Sequence, residues 1–233
     1  MTATLRHISY DFGGCGEYCL AIGDQDAARR ILIIPPLFDE MNRMRRVIVS
    51  AMRRLGNDDL QVFLPDLPGC NESQADLSNQ DLSTWRRAML SAAEQLAITH
   101  IASLRGGCLI DDGAQDLPHW RLSPAKGASL LKTMIRARIA GDKEAGIVTS
   151  AEQLLAAARG APIELAGHRF GAAMLQSLEA AEARALPHLA LCNLGGGGVT
   201  GSALWLRAEP QDDPQMAESL AQNLNLWSAS CAG

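Results

Sequence analysis

One stretch constrains this chain more than any other: His100-Ile101-Ala102-Ser103-Leu104-Arg105-Gly106-Gly107-Cys108-Leu109-Ile110. Its residues predict a short strand, a tight turn and the start of a helix. Ser103 and Gly107 are small two residues before and two residues after Arg105, where the strand and helix backbones must approach closely. A turn of this kind lifts its central side chain above the sheet, beside backbone N–H groups that can hold a negative charge. A nucleophile would be useful at that point, but the residue is Arg105. A guanidinium stays protonated at any working pH and cannot attack a carbonyl carbon. The framework is present without the usual reagent, and Arg105 is the residue to explain.

The rest of the chain alternates strand and helix patterns around this turn. Thr4 to Phe12 and Glu17 to Ile22 read as a hairpin about Gly13-Gly14-Cys15-Gly16. Arg30 to Ile34, ending at Pro35-Pro36, reads as a strand buried on both faces. A helix follows to about Leu55, with Asn42 as its cap and Gly56 as its stop. Leu60 to Leu64 is the next strand, and it runs into the loop Asp66 to Ser73. Asp81 to Ala97 is a helix capped by Asp81 or Ser83. Beyond the central turn, Trp120 to Pro124 is a strand and Ala128 to Ala140 an amphipathic helix. Ser150 caps a helix to Ala158, Pro162 to Ala166 is a strand, and Ala172 to Ala183 a helix. Leu189 to Leu194 is apolar and precedes the glycines Gly195 to Gly198. Ser202 to Ala208 reads as the last strand, near a sheet edge, and Pro214 to Leu226 as a terminal helix expected to cover that edge. Gly167-His168-Arg169-Phe170-Gly171 repeats the small-x-Arg-x-Gly pattern and competes for the role of the central turn.

This alternation predicts one doubly wound, mostly parallel α/β domain over residues 1–233. The length of 233 residues is enough for a large core. The net charge of -5 argues against a nucleic-acid partner. Met1 to Tyr10 lacks a basic-then-apolar leader pattern, and no apolar run is long enough to span a bilayer. The expected location is the cytoplasm, with the six cysteines as reduced thiols. Cys15 and Cys19 have no second Cys or His pair at ligand spacing, and neither a metal nor a cofactor is expected.

The order of segments resembles the α/β-hydrolase fold, and more narrowly the exosortase A system-associated hydrolases of the second type. Pro36-Leu37-Phe38-Asp39-Glu40-Met41-Asn42-Arg43-Met44-Arg45-Arg46 is similar to that family's Pro-Phe-x-Glu-Glu-Met-Asn-x-x-Arg-Arg loop. Asp66 to Ser73 is similar to its Asp-Leu-x-Gly-Cys-Gly-x-Ser, with Asn71 as the departure. Ser103 to Gly107 is similar to its Gly-Leu-Arg-x-Gly, with Ser103 as the departure. Trp120 to Ala140 keeps Pro124 and Gly127 of a further block, and Trp205 and Glu209 fit a late strand with a trailing acid. The resemblance covers most of the chain. It implies a setting in bacterial exopolysaccharide production and the sorting of PEP-CTERM proteins, without naming a reaction. On this resemblance the last strand of the usual sheet is expected to be missing or supplied from elsewhere.

A serine hydrolase of that fold needs a nucleophile, an acid and a histidine in this order. Glu209 stands at the acid position and no histidine follows it; His7, His100, His119, His168 and His188 all precede it. Cys108 lies in the first turn after Arg105, but reads better as a small buried residue. Three readings remain. The preferred one is a pseudo-hydrolase whose cleft binds a small molecule or a protein partner of the polysaccharide machinery. The alternative is a hydrolase of an ester, acyl or glycan-linked substrate with a nonstandard site. A plain domain that forms a homodimer through the helix Ala128 to Ala140 is the third. The candidate cleft residues are Leu37, Asp39, Glu40, Asn42, Ser103, Leu104, Arg105, Gly106 and Glu209. Arg105 either pairs internally with Glu40 or stands open to an anion at the helix start. The internal pair is preferred.

Overall fold

The computed structural model describes residues 4–56, 59–195 and 198–231. The N-terminal hairpin forms between β1 (Leu5–Phe12) and β2 (Cys15–Gly23), with Gly13 and Gly14 at positive φ in its turn. The apolar run after it becomes β3 (Arg29–Ile34), with Ile31 to Ile34 all fully buried. Alternation along that strand divides the core in two. Leu32 and Ile34 join one hydrophobic cluster, Ile31 and Ile33 the other.

Helix α1 (Asp39–Leu55) then lies on the Ile31 side, through Val47, Ile48, Ala51 and Met52. It starts at Asp39 with Phe38 as its cap residue, so the expected Asn42 cap is corrected. The acids Asp39 and Glu40 favour the earlier start, since negative charge in a first turn opposes the helix dipole favourably. Gly56 follows the helix as its C-terminal cap. β4 (Leu60–Pro65) leads to α2 (Leu82–Gln95), where the Asp81 side chain accepts from the Thr84 N–H at 2.6 Å. β5 (His100–Leu104) ends in a 3-10 turn, Arg105–Leu109, and β6 (His119–Leu122) follows.

The chain then leaves the sheet for α3 (Gly127–Glu144), α4 (Ala151–Ala158), a small hairpin of β7 (Ile163–Leu165) with β8 (His168–Phe170), and α5 (Ala172–Glu179). Ser150 caps α4 in a reciprocal box with Gln153. It returns in β9 (Leu189–Cys192) and closes with α6 (Pro214–Ser230). The main sheet has the order β1-β2-β4-β3-β5-β6-β9. The three strands from β1 to β4 pair antiparallel, and β4 to β9 run parallel.

Three expectations are corrected. The strand at Pro162 to Ala166 is present as β7, but it pairs with β8 outside the main sheet. Ala166 and Gly167 at positive φ turn the chain straight back, and Arg169 is exposed on β8. The competing small-x-Arg-x-Gly turn is therefore a hairpin, not a strand-to-helix turn. Ser202 to Ala208 is not a strand; Leu204–Leu206 forms a 3-10 turn packed against α1. Leu204 and Trp205 are adjacent and both buried, while Leu206 is 75% exposed, which no period-two strand produces. Third, α6 does not cover a sheet edge. It packs along α1 on the sheet face, through Met216, Ala217, Leu220 and Leu224. Among the described residues no strand follows β9. Of the four glycines 195–198, Gly196 and Gly197 lie outside the described residues.

Candidate functional site

β5 delivers the chain to Arg105 at φ 53°, a left-handed angle that non-glycine residues rarely adopt. The sharp bend follows from the small residues after it. A Cβ at Gly107 would lie 2.4 Å from the Pro35 carbonyl oxygen and 2.7 Å from that of Ile34. Only glycine permits that approach of the turn to the end of β3. Gly107→Ala is accordingly expected to cost about 2 kcal/mol, as for other overpacked sites. Urea unfolding of the variant measures this; an unchanged midpoint would show that the turn relaxes freely.

The lifted side chain is held on every side. Arg105 Nε and one terminal nitrogen donate to the two Glu40 carboxylate oxygens, each at 3.1 Å. The other terminal nitrogen donates to the Ser123 carbonyl at 2.9 Å. The guanidinium carbon lies 4.6 Å from the centre of the Trp205 ring. The side chains of Arg105 and Glu40 are only 17% and 14% exposed. Burial pushes the Glu40 carboxyl above the usual range, while Arg105, by hydrogen bond and charge, and Arg43 draw it back. One turn along α1, Arg43 pairs with Asp39 and donates to the Trp205 carbonyl at 2.9 Å. The internal pair expected from the sequence is thus formed, and the loop after β3 is tied to the central turn.

A cavity of about 270 Å³ opens beside these pairs. Leu37, Phe38, Leu130, Met134, Trp205 and Leu206 give it apolar walls, and Asp39, Glu40, Arg43, Arg105, Ser129 and Thr133 its polar ones. Phe38 is itself at φ 58° and packs edge-on against Phe170, ring centres 5.0 Å apart. The floor comes from the loop after β3 and the start of α1; α3 and the turn at Trp205 form the sides.

The same architecture recurs among solved structures. A protein named only provisionally as a hydrolase, from Agrobacterium vitis S4, aligns over 97% of this chain and 99% of its own, at 14% identity and a TM-score of 0.51. Est1E from Butyrivibrio proteoclasticus, solved with ferulic acid, aligns over 74% of this chain and 70% of its own, at 15% identity and a TM-score of 0.54. This chain has the α/β-hydrolase fold. Several other neighbours are matched over less of this chain. For 2-hydroxy-6-oxo-6-phenylhexa-2,4-dienoate hydrolase from Rhodococcus sp. strain RHA1 the chain spans 47% of the neighbour, at 13% identity and a TM-score of 0.41. No protein-family model and no curated sequence relative matches.

In the hydrolase fold the residue at the centre of this turn attacks and a histidine serves it. Here the cavity wall carries two guanidiniums, two carboxylates and two hydroxyls, and no histidine among the described residues. His168, on β8, packs edge-on against Phe38 with ring centres 5.9 Å apart, and burial lowers its pKa. His119 is fully buried and bonded through Nε2 to the Ala114 carbonyl at 3.0 Å. Ser103 is fully buried, with its Oγ shut away from solvent. Cys108 is also buried, its thiol on the Ser103 carbonyl at 3.6 Å, and burial holds that thiol protonated well above its ordinary range. Neither side chain can meet a substrate.

Of the candidate residues, Leu37, Asp39, Glu40 and Arg105 line the cavity. Ser103, Leu104 and Gly106 are buried beneath it. Asn42 and Glu209 are exposed and lie outside the cavity wall. The sequence reading missed Phe38, Arg43 and the α3 side of the cavity. A signal for the latter existed: Ser129, Thr133 and Ala137 recur every four residues beside the buried Leu130 and Met134.

Proposed function

We propose that this chain is a pseudo-hydrolase, a hydrolase-fold protein that has kept the cleft and binds a small ligand there without cleaving it. The observation that carries the reading is the bidentate Arg105–Glu40 pair, which occupies the point where a nucleophile would stand. The burial of Ser103 and Cys108 supports it, since neither can replace the missing reagent. The resemblance of the Pro36 to Arg46 loop and of the Leu104-Arg105-Gly106-Gly107 turn to the exosortase-associated hydrolases suggests a setting. The ligand, or a protein partner presenting it, belongs to exopolysaccharide production or to the sorting system coupled to it. The protein acts in the cytoplasm on this reading.

A fluorophosphonate probe is expected to label no serine, and short nitrophenyl esters are expected to be hydrolysed no faster than in buffer. Arg105→Ser is expected to remain inactive as well, because the cavity wall carries no histidine to take the serine's proton. Stoichiometric labelling of the unmodified chain, or strong turnover by Arg105→Ser, would establish the hydrolase reading instead.

A further inference from the structure

Resting on that ligand-binding reading, we infer that the cavity selects an uncharged ligand: an aliphatic chain with a neutral head group that donates a hydrogen bond. Its two arginines invite the opposite expectation, that the site takes a carboxylate or a phosphate. Their hydrogen bonds argue otherwise. Three nitrogens of Arg105 are committed, two to Glu40 and one to the Ser123 carbonyl, and Trp205 lies over the guanidinium face. Arg43 commits both terminal nitrogens, to Asp39 and to the Trp205 carbonyl, and its Nε, which has no partner, is shut away from solvent. An entering anion gains Arg105 only by expelling Glu40, which exchanges one carboxylate pair for another and strands the expelled acid at a buried site. The wall as a whole holds two carboxylates and two guanidiniums, so no net charge draws an ion of either sign.

What the wall offers instead is apolar surface and, on α3, the exposed hydroxyls of Ser129 and Thr133. Leu130, Met134, Ala137 and Leu206 would line an aliphatic chain. On α3 the Thr133 hydroxyl donates to the Ser129 carbonyl at 3.0 Å. Its proton is therefore used and its oxygen lone pairs remain to accept. A hydroxyl or primary amide on the ligand supplies the matching donor.

The test is calorimetric titration of the full chain at neutral pH with octan-1-ol and with octane-1-sulfonate, equal in chain length and different in head. The alcohol is expected to bind at least tenfold more tightly, with an affinity indifferent to salt. Ala137→Trp, which fills the cavity from α3, is expected to abolish that binding. Thr133→Val, nearly isosteric, keeps the helix intact and is expected to weaken the alcohol roughly three- to tenfold, the range of one lost hydrogen bond. Tighter binding of the sulfonate, weakening steeply with salt, would overturn the charge selectivity while leaving a ligand-binding cleft in place. Alcohol binding that survives both substitutions would place the ligand elsewhere and overturn the inference. Absence of binding by either compound would remove the inference and count against the ligand-binding reading beneath it, which the labelling experiment tests separately.

Discussion

Arg105→Ala is expected to destabilise the fold by about 3–5 kcal/mol, the usual cost of removing one partner from a buried ion pair. The loss does not measure the strength of the pair. It arises because Glu40, with a side chain 14% exposed, stays behind without its two hydrogen bonds. For a chain of this length the melting temperature should fall by on the order of 10 °C. Glu40→Gln should cost less, since an amide oxygen still accepts from the guanidinium. The pair Arg105→Met with Glu40→Leu should recover much of the loss, because replacing both partners by apolar groups leaves nothing unpaired. A double-mutant cycle on residues 40 and 105 is expected to give a coupling of roughly 2 kcal/mol. Coupling near zero would mean that the two side chains act independently, and Arg105 would then be available to an external anion.

The deficit also has a direction with pH. Burial already raises the Glu40 carboxyl above its unfolded range. For a raised acid, the folded state holds its proton more firmly than the unfolded state. The associated stability is present at low pH and is lost as pH rises through the folded value. Removing Arg105 raises Glu40 further. The Arg105→Ala deficit should therefore be larger at about pH 8 than at about pH 5. A deficit that grows on acidification would contradict this account.

Truncation before Pro214 is expected to have the larger effect still, with loss of cooperative unfolding. α6 brings Met216, Ala217, Leu220 and Leu224 to the cluster formed by α1 and one face of the sheet. Burying Met216, Leu220 and Leu224 contributes about 1.5–3 kcal/mol each, a summed loss comparable to the whole margin of an ordinary domain, about 5–15 kcal/mol. Arg54–Glu218 at 2.8 Å and the hydrogen bond from Trp120 Nε1 to Asn223 Oδ1 at 2.8 Å would go too. Far-UV circular dichroism and thermal melting of the truncated chain report the result. A sharp transition at an unchanged temperature would show that α6 is dispensable.

The parts of the fold that could be read from the sequence are those with one local cause. Ile31 to Ile34 is apolar at every position and closed by Pro35-Pro36, the pattern of a strand covered on both faces. Asp81 and Ser150 announce helix starts because their side chains satisfy the free N–H groups there. The turn at Arg105 is legible because small residues flank it at fixed offsets. Elsewhere the cause is distant. Leu204-Trp205-Leu206 is apolar in sequence, and a run so short does not distinguish a strand from a turn packed on α1. Asp111-Asp112-Gly113 reads as a helix stop. In the structure Asp111 is buried in a bidentate pair with Arg121 at 2.8 and 2.7 Å, and no local pattern links those two residues. The α3 wall of the cavity depends in the same way on how the insertion between β6 and β9 folds back over the sheet.

At residue 105 the backbone stands at φ 53°, an angle that costs a side-chain-bearing residue about 1–2 kcal/mol. Arginine is retained there by its neighbour rather than by its own conformational preference. A first change at 105 to a residue without an N–H donor leaves Glu40 buried without its two hydrogen bonds. A first change at Glu40 to a neutral residue of similar length removes that obstacle and leaves the turn itself untouched. Routes from this chain toward one with a nucleophile at residue 105 therefore have an order, with residue 40 first. A library that varies residue 105 alone should return members that melt well below the parent, and one that varies both should return more that melt near it.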